Sequence, residues 1–397
     1  MTAAKDSEAS GPAPPPPRSL YNARFVAMFL AQFFMVLGLA MFYLLPLFLV
    51  ENGALTSDVG LIMGVFALAS VVARPTVSNL VDGLGRRRTF LAGLSLFILL
   101  PFIYLLFSGP VDRFFWPLVL VRLVHGTATA ACFTASVTYV SDIVPPERMG
   151  EGMGIFGISG LGAMAVGPAL GELVIRVWGF EGLFLSASLS ALFSFVLIFR
   201  LPESRTMETD RPRTRFMTVL RQPASVSLVW LSLLFGVSLA AILNFVTLYA
   251  KEQQIGLISI FFVTFSLAAV VTRIVGGRLS DRIGEARIIP PALMISTLGL
   301  LGLIFSEVSL HFALCGFVLG VGHGFLFPSL ISLALRRQPP HLRAKMVAIF
   351  TGALDGGTFA GSIILGWIGQ YLGFPAIFLA AALCLGMAVA LTRVRRL

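Results

Sequence analysis

Residues 78–88 read Ser78-Asn79-Leu80-Val81-Asp82-Gly83-Leu84-Gly85-Arg86-Arg87-Arg88, and residues 277–287 read Gly277-Arg278-Leu279-Ser280-Asp281-Arg282-Ile283-Gly284-Glu285-Ala286-Arg287. Asp82, Gly85 and Arg88 return as Asp281, Gly284 and Arg287 at an offset of 199, and just upstream Val71-Val72 and Arg74 return as Val270-Val271 and Arg273. Working outward, His125-Gly126 returns as His323-Gly324 at an offset of 198. Pro145-Pro146 and Ile155-Phe156 return as Pro339-Pro340 and Ile349-Phe350 at 194. Matches in one order at nearly one spacing make the chain a tandem repeat.

Each repeat unit is a series of apolar runs. They lie near 24–50, 58–80, 89–108, 114–141, 150–176 and 180–200, then 224–250, 255–279, 288–306, 309–335, 344–370 and 374–393. About 20 residues at 1.5 Å each cross the roughly 30 Å hydrocarbon core of a bilayer. The composition agrees: 57% of the 397 residues are hydrophobic and 12% charged, against about a quarter charged in a soluble domain. The fold class expected is an all-α membrane protein, with twelve transmembrane helices in two pseudo-symmetric six-helix bundles. The organisation expected is a disordered tail at 1–23, one half at 24–200, a linker at 201–222 and a second half at 223–397. Proline and charge mark the linker, at Pro202, Pro212 and the arginines between them. Pro14 to Pro17, with no apolar core around them, mark the tail.

The net charge of +10 raises the question of nucleic acid, and its distribution answers it. Counted from an N-terminus inside the cell, 23 of the 29 Lys and Arg fall in inner loops and termini, three in outer loops and three (Arg74, Arg122, Arg273) within spans. That asymmetry is the positive-inside rule and puts both termini in the cytoplasm. A basic face with base-reading side chains is missing, so no nucleic-acid partner is expected. Cys132, Cys315 and Cys384 all sit in apolar runs without metal-ligand spacing, so neither disulfide, metal nor cofactor is expected. Gly152, Gly154 and Gly157 match a dinucleotide fingerprint, but no strand precedes them and the series continues at Gly160, Gly162, Gly167 and Gly171. That is a glycine-rich membrane helix.

The 78–88 loop resembles the signature loop of the major facilitator superfamily, Gly-x-Leu-Ala-Asp-Arg-x-Gly-Arg-Arg, with departures at Ser78 and Gly83. The second copy departs at Glu285 and Ala286, where a basic pair is usual. The resemblance implies gating by this loop: Asp82 meets the N-terminal end of a helix from the other half in the outward-facing state, with Gly85, Arg86, Asp281 and Gly284 in corresponding parts. Arg74 and Arg273, two turns earlier, are expected to brace the cytoplasmic gates. Arg122-x-x-His125-Gly126 and Gly167-Pro168-x-x-Gly171 are similar to the fourth- and fifth-helix motifs of the bacterial drug:proton antiporter branch. Glu172 stands where a Gly is usual, and His125 where Gln is common. This second resemblance implies efflux across an inner membrane.

Ionisable groups inside spans are costly, roughly 2.5–3.5 kcal/mol at a helix centre, and are therefore functional candidates. Asp355 lies about eleven residues, or roughly 16 Å, into the eleventh run, and Thr351, Thr358 and Ser362 share its face. It is the expected proton-coupling carboxyl, with Glu172, in the outer quarter of the fifth run, as the second. Arg122 either binds an anionic substrate or sets the protonation of a neighbouring carboxylate; the alternative is snorkelling to the outer interface. His125 and His323 occupy equivalent places and can carry protons or contact substrate, or can be neutral packing residues. Gln32 and Asn244, in the first runs of the two halves, suit either substrate hydroxyls or interhelical hydrogen bonds. The function expected is proton-coupled efflux of a small organic molecule by alternating access, by a monomer in a lipid bilayer. The alternatives are a proton symporter importing an organic anion through Arg122 and, more remotely, a membrane-embedded enzyme. The last needs a nucleophile–base or metal constellation, and the sequence offers none.

Overall fold

The computed structural model describes residues 20–145, 148–204, 223–336 and 343–394, except for the side chains of 223–224, 275–283, 335–336, 343–345 and 393–394. The tail at 1–19 and the linker from 205 to 222 lie outside the described residues. What is described is helical throughout, in twelve spans. They are α1 (Ala23–Glu51), α2 (Thr56–Leu84), α3 (Arg86–Tyr104), α4 (Phe115–Ile143), α5 (149–178) and α6 (180–199) in the first half. The second half holds α7 (223–252), α8 (Ile260–Ile283), α9 (Glu285–Leu303), α10 (Ser309–Arg336), α11 (Arg343–Leu372) and α12 (Phe374–Val394).

Local sequence explains where the helices break. α5 and α6 follow each other without a loop, and Gly179 (φ 64°, ψ −166°) makes the reversal, in a region that side chains avoid. In α1 the backbone tightens to a 3-10 turn at Phe42–Leu44, just before Pro46, which has no N–H to give the preceding turn. At the equivalent place, α7 widens to a π turn at Ala241–Phe245, an irregularity that recurs at functional sites. The signature loops are alike in both halves. Gly85 (φ 103°) and Gly284 (φ 85°) reverse the chain between α2 and α3 and between α8 and α9, and both need the left-handed freedom of glycine.

The halves meet along two helix pairs, α2 with α11 and α5 with α8. The first pair is in backbone contact. A Cβ on Gly60 would lie 2.4 Å from the Ser362 carbonyl oxygen, and one on Gly366 would lie 3.0 Å from the Gly60 Cα. Polar contacts between halves run from mid-depth to the side opposite the signature loops. Thr56 N–H donates to Gln370 Oε1 at 2.9 Å, Lys251 pairs with Glu51 at 2.8 Å, and Arg176 Nη2 donates to the Gly256 carbonyl at 2.8 Å. Tyr43 of α1 stacks on Phe262 of α8 there, with centroids 5.6 Å apart. On the signature-loop side the Asp82 carboxylate is 72% exposed. The seam is therefore zipped at one face of the bilayer.

Candidate functional site

At mid-depth in the seam, Arg74 of α2 and Asp355 of α11 form an ion pair between the halves, through Arg74 Nη2 and Asp355 Oδ2. Ser70, one turn before Arg74, donates its hydroxyl to the same carboxylate oxygen at 3.2 Å. The two charged side chains are 25% and 26% exposed, enough for water to reach them. Helix geometry sets the meeting: Arg74 lies ten residues above the end of α2 and Asp355 twelve above the start of α11, so both sit roughly 15–18 Å above the signature-loop side. The hydroxyls that share the face of Asp355 are spent within the protein. Thr351 and Thr358 bond to carbonyls one turn back. Ser362 is fully buried, donates to the Thr358 carbonyl at 2.6 Å and accepts from Asn244 Nδ2 at 2.7 Å. Asn244 thus ties the π turn of α7 to α11.

Arg273, the repeat mate of Arg74, lies at the same depth in the other seam. Its guanidinium rests on the Phe327 ring, 5.2 Å from the centroid, and faces α5 at Gly157, where a Cβ would be 3.0 Å from Nη1. It makes no ion pair or hydrogen bond among the described residues, and its Nε is buried without a partner.

The third in-span arginine is elsewhere. Arg122 is 2% exposed inside the first half, over the Phe66 ring at 4.4 Å, with Nε 3.4 Å from the Ile62 carbonyl oxygen and Nη1 unpartnered. His125, one turn on, is enclosed by Phe42, Phe66, Phe97 and Tyr104, and neither ring nitrogen has a partner. His323 sits among Phe235, Phe265 and Phe327 in the second half. The two histidines do not face each other across one cavity; each lies in an aromatic nest of its own half. Gln32 is buried in α1 with Oε1 unpaired.

Glu172 belongs to the zipped face. It accepts from the backbone N–H of Ser259 at 2.9 Å and of Ile258 at 3.4 Å, across the seam, while pairing with Arg176 at 2.8 Å. Gly167 and Gly171 let α5 close on α1: a Cβ would lie 2.6 Å from the Ala40 Cβ at the first and 2.9 Å from the Leu44 Cδ1 at the second. Pro168 lies within α5 between them.

The signature loop of the first half holds more than the motif suggests. Arg86 Nε donates to Asp142 Oδ2 at 2.9 Å and approaches Asp82 at only 3.7 Å. Glu203, just past α6, accepts the backbone N–H of Arg86 and Arg87 at 2.7 and 3.1 Å and so caps α3. Arg87 donates to the Phe199 carbonyl at 2.6 Å, and Ser204 to Asp142 at 2.9 Å. In the second copy Glu285 replaces Arg86 and accepts from Ser332 at 2.6 Å. Sequence reading missed Ser70, Glu203 and Phe327. An acid following directly on α6 was the available signal for Glu203, and the helix spacing of Ser70 from Arg74 was the signal for Ser70. The Asp281 side chain lies outside the described residues.

Residues 28–306 and 252–396 each match the Major Facilitator Superfamily. The chain belongs to this superfamily. It is 26% identical over 378 residues to an uncharacterized transporter of the superfamily from Salmonella typhimurium, covering 91% of this chain and 93% of that one. It is 25% identical over 367 residues to the multidrug resistance protein MdtG of Klebsiella pneumoniae, covering 89% and 87%. Among solved structures it resembles a bacterial homologue of the human lysosomal transporter Spinster, crystallised inward-facing and unoccupied. That likeness has a TM-score of 0.78 at 12% identity over 95% of this chain and 97% of the other. As a superfamily transporter the chain is an integral membrane protein, and its two seams are where the halves of such a carrier meet.

Proposed function

We propose that the chain is a proton-coupled exporter of a small organic molecule, working by alternating access as a monomer in a bacterial inner membrane. The observation that carries this reading is the Arg74–Asp355 pair, a titratable bridge between the two halves. The loop charges put the signature-loop side in the cytoplasm, so the zipped face is external and this state is inward-facing. Substrate enters from the cytoplasm, the halves rock, and the α2–α11 seam parts on the outside. Asp355 then meets external water, takes a proton and loses its charge-based hold on Arg74. The neutral carboxyl returns inward, releases the proton to the cytoplasm and closes on Arg74 again. One charge moved through 100 mV is worth about 2.3 kcal/mol, so a single proton supports a steep gradient.

Glu172 is a second acid on this route. Its bonds to Ile258 and Ser259 hold the outer face shut, and a proton arriving from outside weakens them. Asp82, with Gly85, Arg86 and the second copy at Asp281 and Gly284, is the latch of the opposite state. Asn244 serves the interhelical bond to Ser362 and Gln32 is buried in α1, while Arg122 and His125 are sealed within one half and take no step. Export rather than import is favoured by the MdtG relatives, named for multidrug resistance.

The test is substrate flux in proteoliposomes under an imposed pH gradient, with counterflow exchange measured separately. Asp355→Asn is expected to reduce gradient-driven flux to background and to keep exchange. Undiminished gradient-driven flux in that variant removes Asp355 from the coupling route.

A further inference from the structure

The three arginines within spans differ in how their charge is met. Arg122 is sealed inside the first half, Arg74 is neutralised by Asp355, and Arg273 stands in the seam with no carboxylate among the described residues. Arg273 is half-buried with its Nε enclosed and unpartnered, and one contact with an aromatic face returns only part of what a cation loses there without a counterion. Asp355 is already committed to Arg74, and no other acid touches Arg273 among the described residues. Opposite its guanidinium, α5 presents Gly157, and the end of the arginine lies close enough that a Cβ there would be 3.0 Å from Nη1. The wall behind is apolar and aromatic: Phe327 under the guanidinium, Phe350 5.4 Å from Phe327, and the His323 ring stacked at 5.7 Å.

We propose that Arg273 receives an anionic group of the transported molecule, so that the substrate is an organic anion with an apolar or aromatic body. The inference rests on the export reading for its direction, but not for its chemistry. A guanidinium fits carboxylate, sulfonate or phosphate oxygens two at a time, and the phenylalanines take the rest of the molecule. Direction then acquires an electrical signature. An anion leaving and a proton entering both carry positive charge inward, so the cycle is driven by a negative interior. Symport of the same anion with one proton is electroneutral.

The experiment is equilibrium binding to the purified full-length protein without a pH gradient. The probes are naphthalene-2-sulfonate, naphthalene-2-carboxylate and a size-matched naphthyl trimethylammonium. The wild type is expected to bind the two anions about tenfold or more tighter than the cation, the scale of one charge-assisted hydrogen-bond set. Arg273→Met should lose that preference and leave cation binding unchanged, and Arg273→Lys should keep part of it. Gly157→Asp places a tethered carboxylate beside Arg273; it should abolish anion binding while raising the melting temperature, which keeps the test alive where Arg273→Met does not fold. An arginine that only braces a gate would slow all substrates alike and would not discriminate by charge. Absence of anion binding in the wild type, equal binding of the cation, or full anion affinity in Gly157→Asp overturns the proposal. Flux that ignores the pH gradient while anion binding persists overturns the coupling reading alone.

Discussion

Arg74 and Arg273 hold the same place in the two halves, each eight residues before its signature aspartate and each in a seam between halves. One meets Asp355, which Ser70 also bonds; the other meets a phenylalanine ring and a glycine. Among the described residues, therefore, the repeat duplicated the scaffold and the cations but set a carboxylate against one of them. An exchanger built from equal halves has use for such an imbalance, because proton and substrate need separate receptors that respond to the same rocking motion. Asp355 serves the first in the proposed cycle, and the unpaired Arg273 the second.

The comparison breaks most readily on stability. Arg74→Met leaves Asp355 unpaired. Removing one partner of a fully buried pair costs roughly 3–5 kcal/mol, and with a quarter of each side chain exposed the expected loss is about 2 kcal/mol. Asp355→Asn added to it should recover most of that, as a double-mutant cycle reports for coupled residues. Arg273→Met should go the other way, with a melting temperature unchanged or raised, because it removes a charge that has no partner. A similar drop for both arginine variants would mean that Arg273 has a counterion after all and that the halves are electrostatically alike.

A second test sharpens the contrast between the seams themselves. Gly60→Ala drives a methyl to 2.4 Å from the Ser362 carbonyl oxygen, a backbone atom in a helix that cannot yield locally. Overpacking of that kind costs about 1–3 kcal/mol, and here it should part α2 from α11 on the zipped face. Labelling of a cysteine placed at Thr56 would then rise. Gly157→Ala brings its methyl to 3.0 Å from the end of a flexible arginine, and the expected change is under about 0.5 kcal/mol. Equal effects at the two glycines would remove the distinction between a backbone-sealed seam and an adjustable one.

Much of this architecture is legible in the chain. The apolar runs and the repeated signature loop specify twelve spans and two halves, because a bilayer constrains length and backbone pairing so tightly. Asp355 is legible too, as an acid in the middle of a span. Its partner is not: Arg74 is 281 residues away, and periodicity assigns depth and face without saying which faces meet. Depth alone would have narrowed the choice, since Arg74 and Asp355 count to nearly the same level. The polar stripe of Thr351, Thr358 and Ser362 reads in sequence as a wet wall, yet its hydroxyls are absorbed by helix carbonyls and Asn244. Short hydroxyls reach the preceding turn of their own helix more easily than they reach across a cavity. Glu172 likewise reads as an outer carboxyl, and only the fold brings the 256–259 loop of the other half onto it.

The smallest expected effect concerns the two latches. On the zipped face Glu172 is engaged across the seam; on the signature-loop face Asp82 is exposed, with Arg86 at 3.7 Å as its ion-pair contact. An exposed pair of that geometry contributes about 0–1 kcal/mol, so Asp82→Asn should leave the melting temperature of this state within error. Its consequence lies in the opposite state, where the carboxylate is proposed to meet the N-terminal end of a helix from the other half, an interaction worth roughly 0.3–1 kcal/mol. Losing it shifts the inward-to-outward ratio by about two- to fivefold, by the usual relation between free energy and population. Turnover should slow by a similar factor with substrate affinity unchanged. Glu172→Gln should push the ratio the other way, because it weakens the lock of the inward-facing state. The check is a pair of distance distributions between spin labels, one across each face, in the two variants and the wild type. Shifts of the same sign in both variants would show that these carboxylates do not belong to opposite ends of one rocking motion.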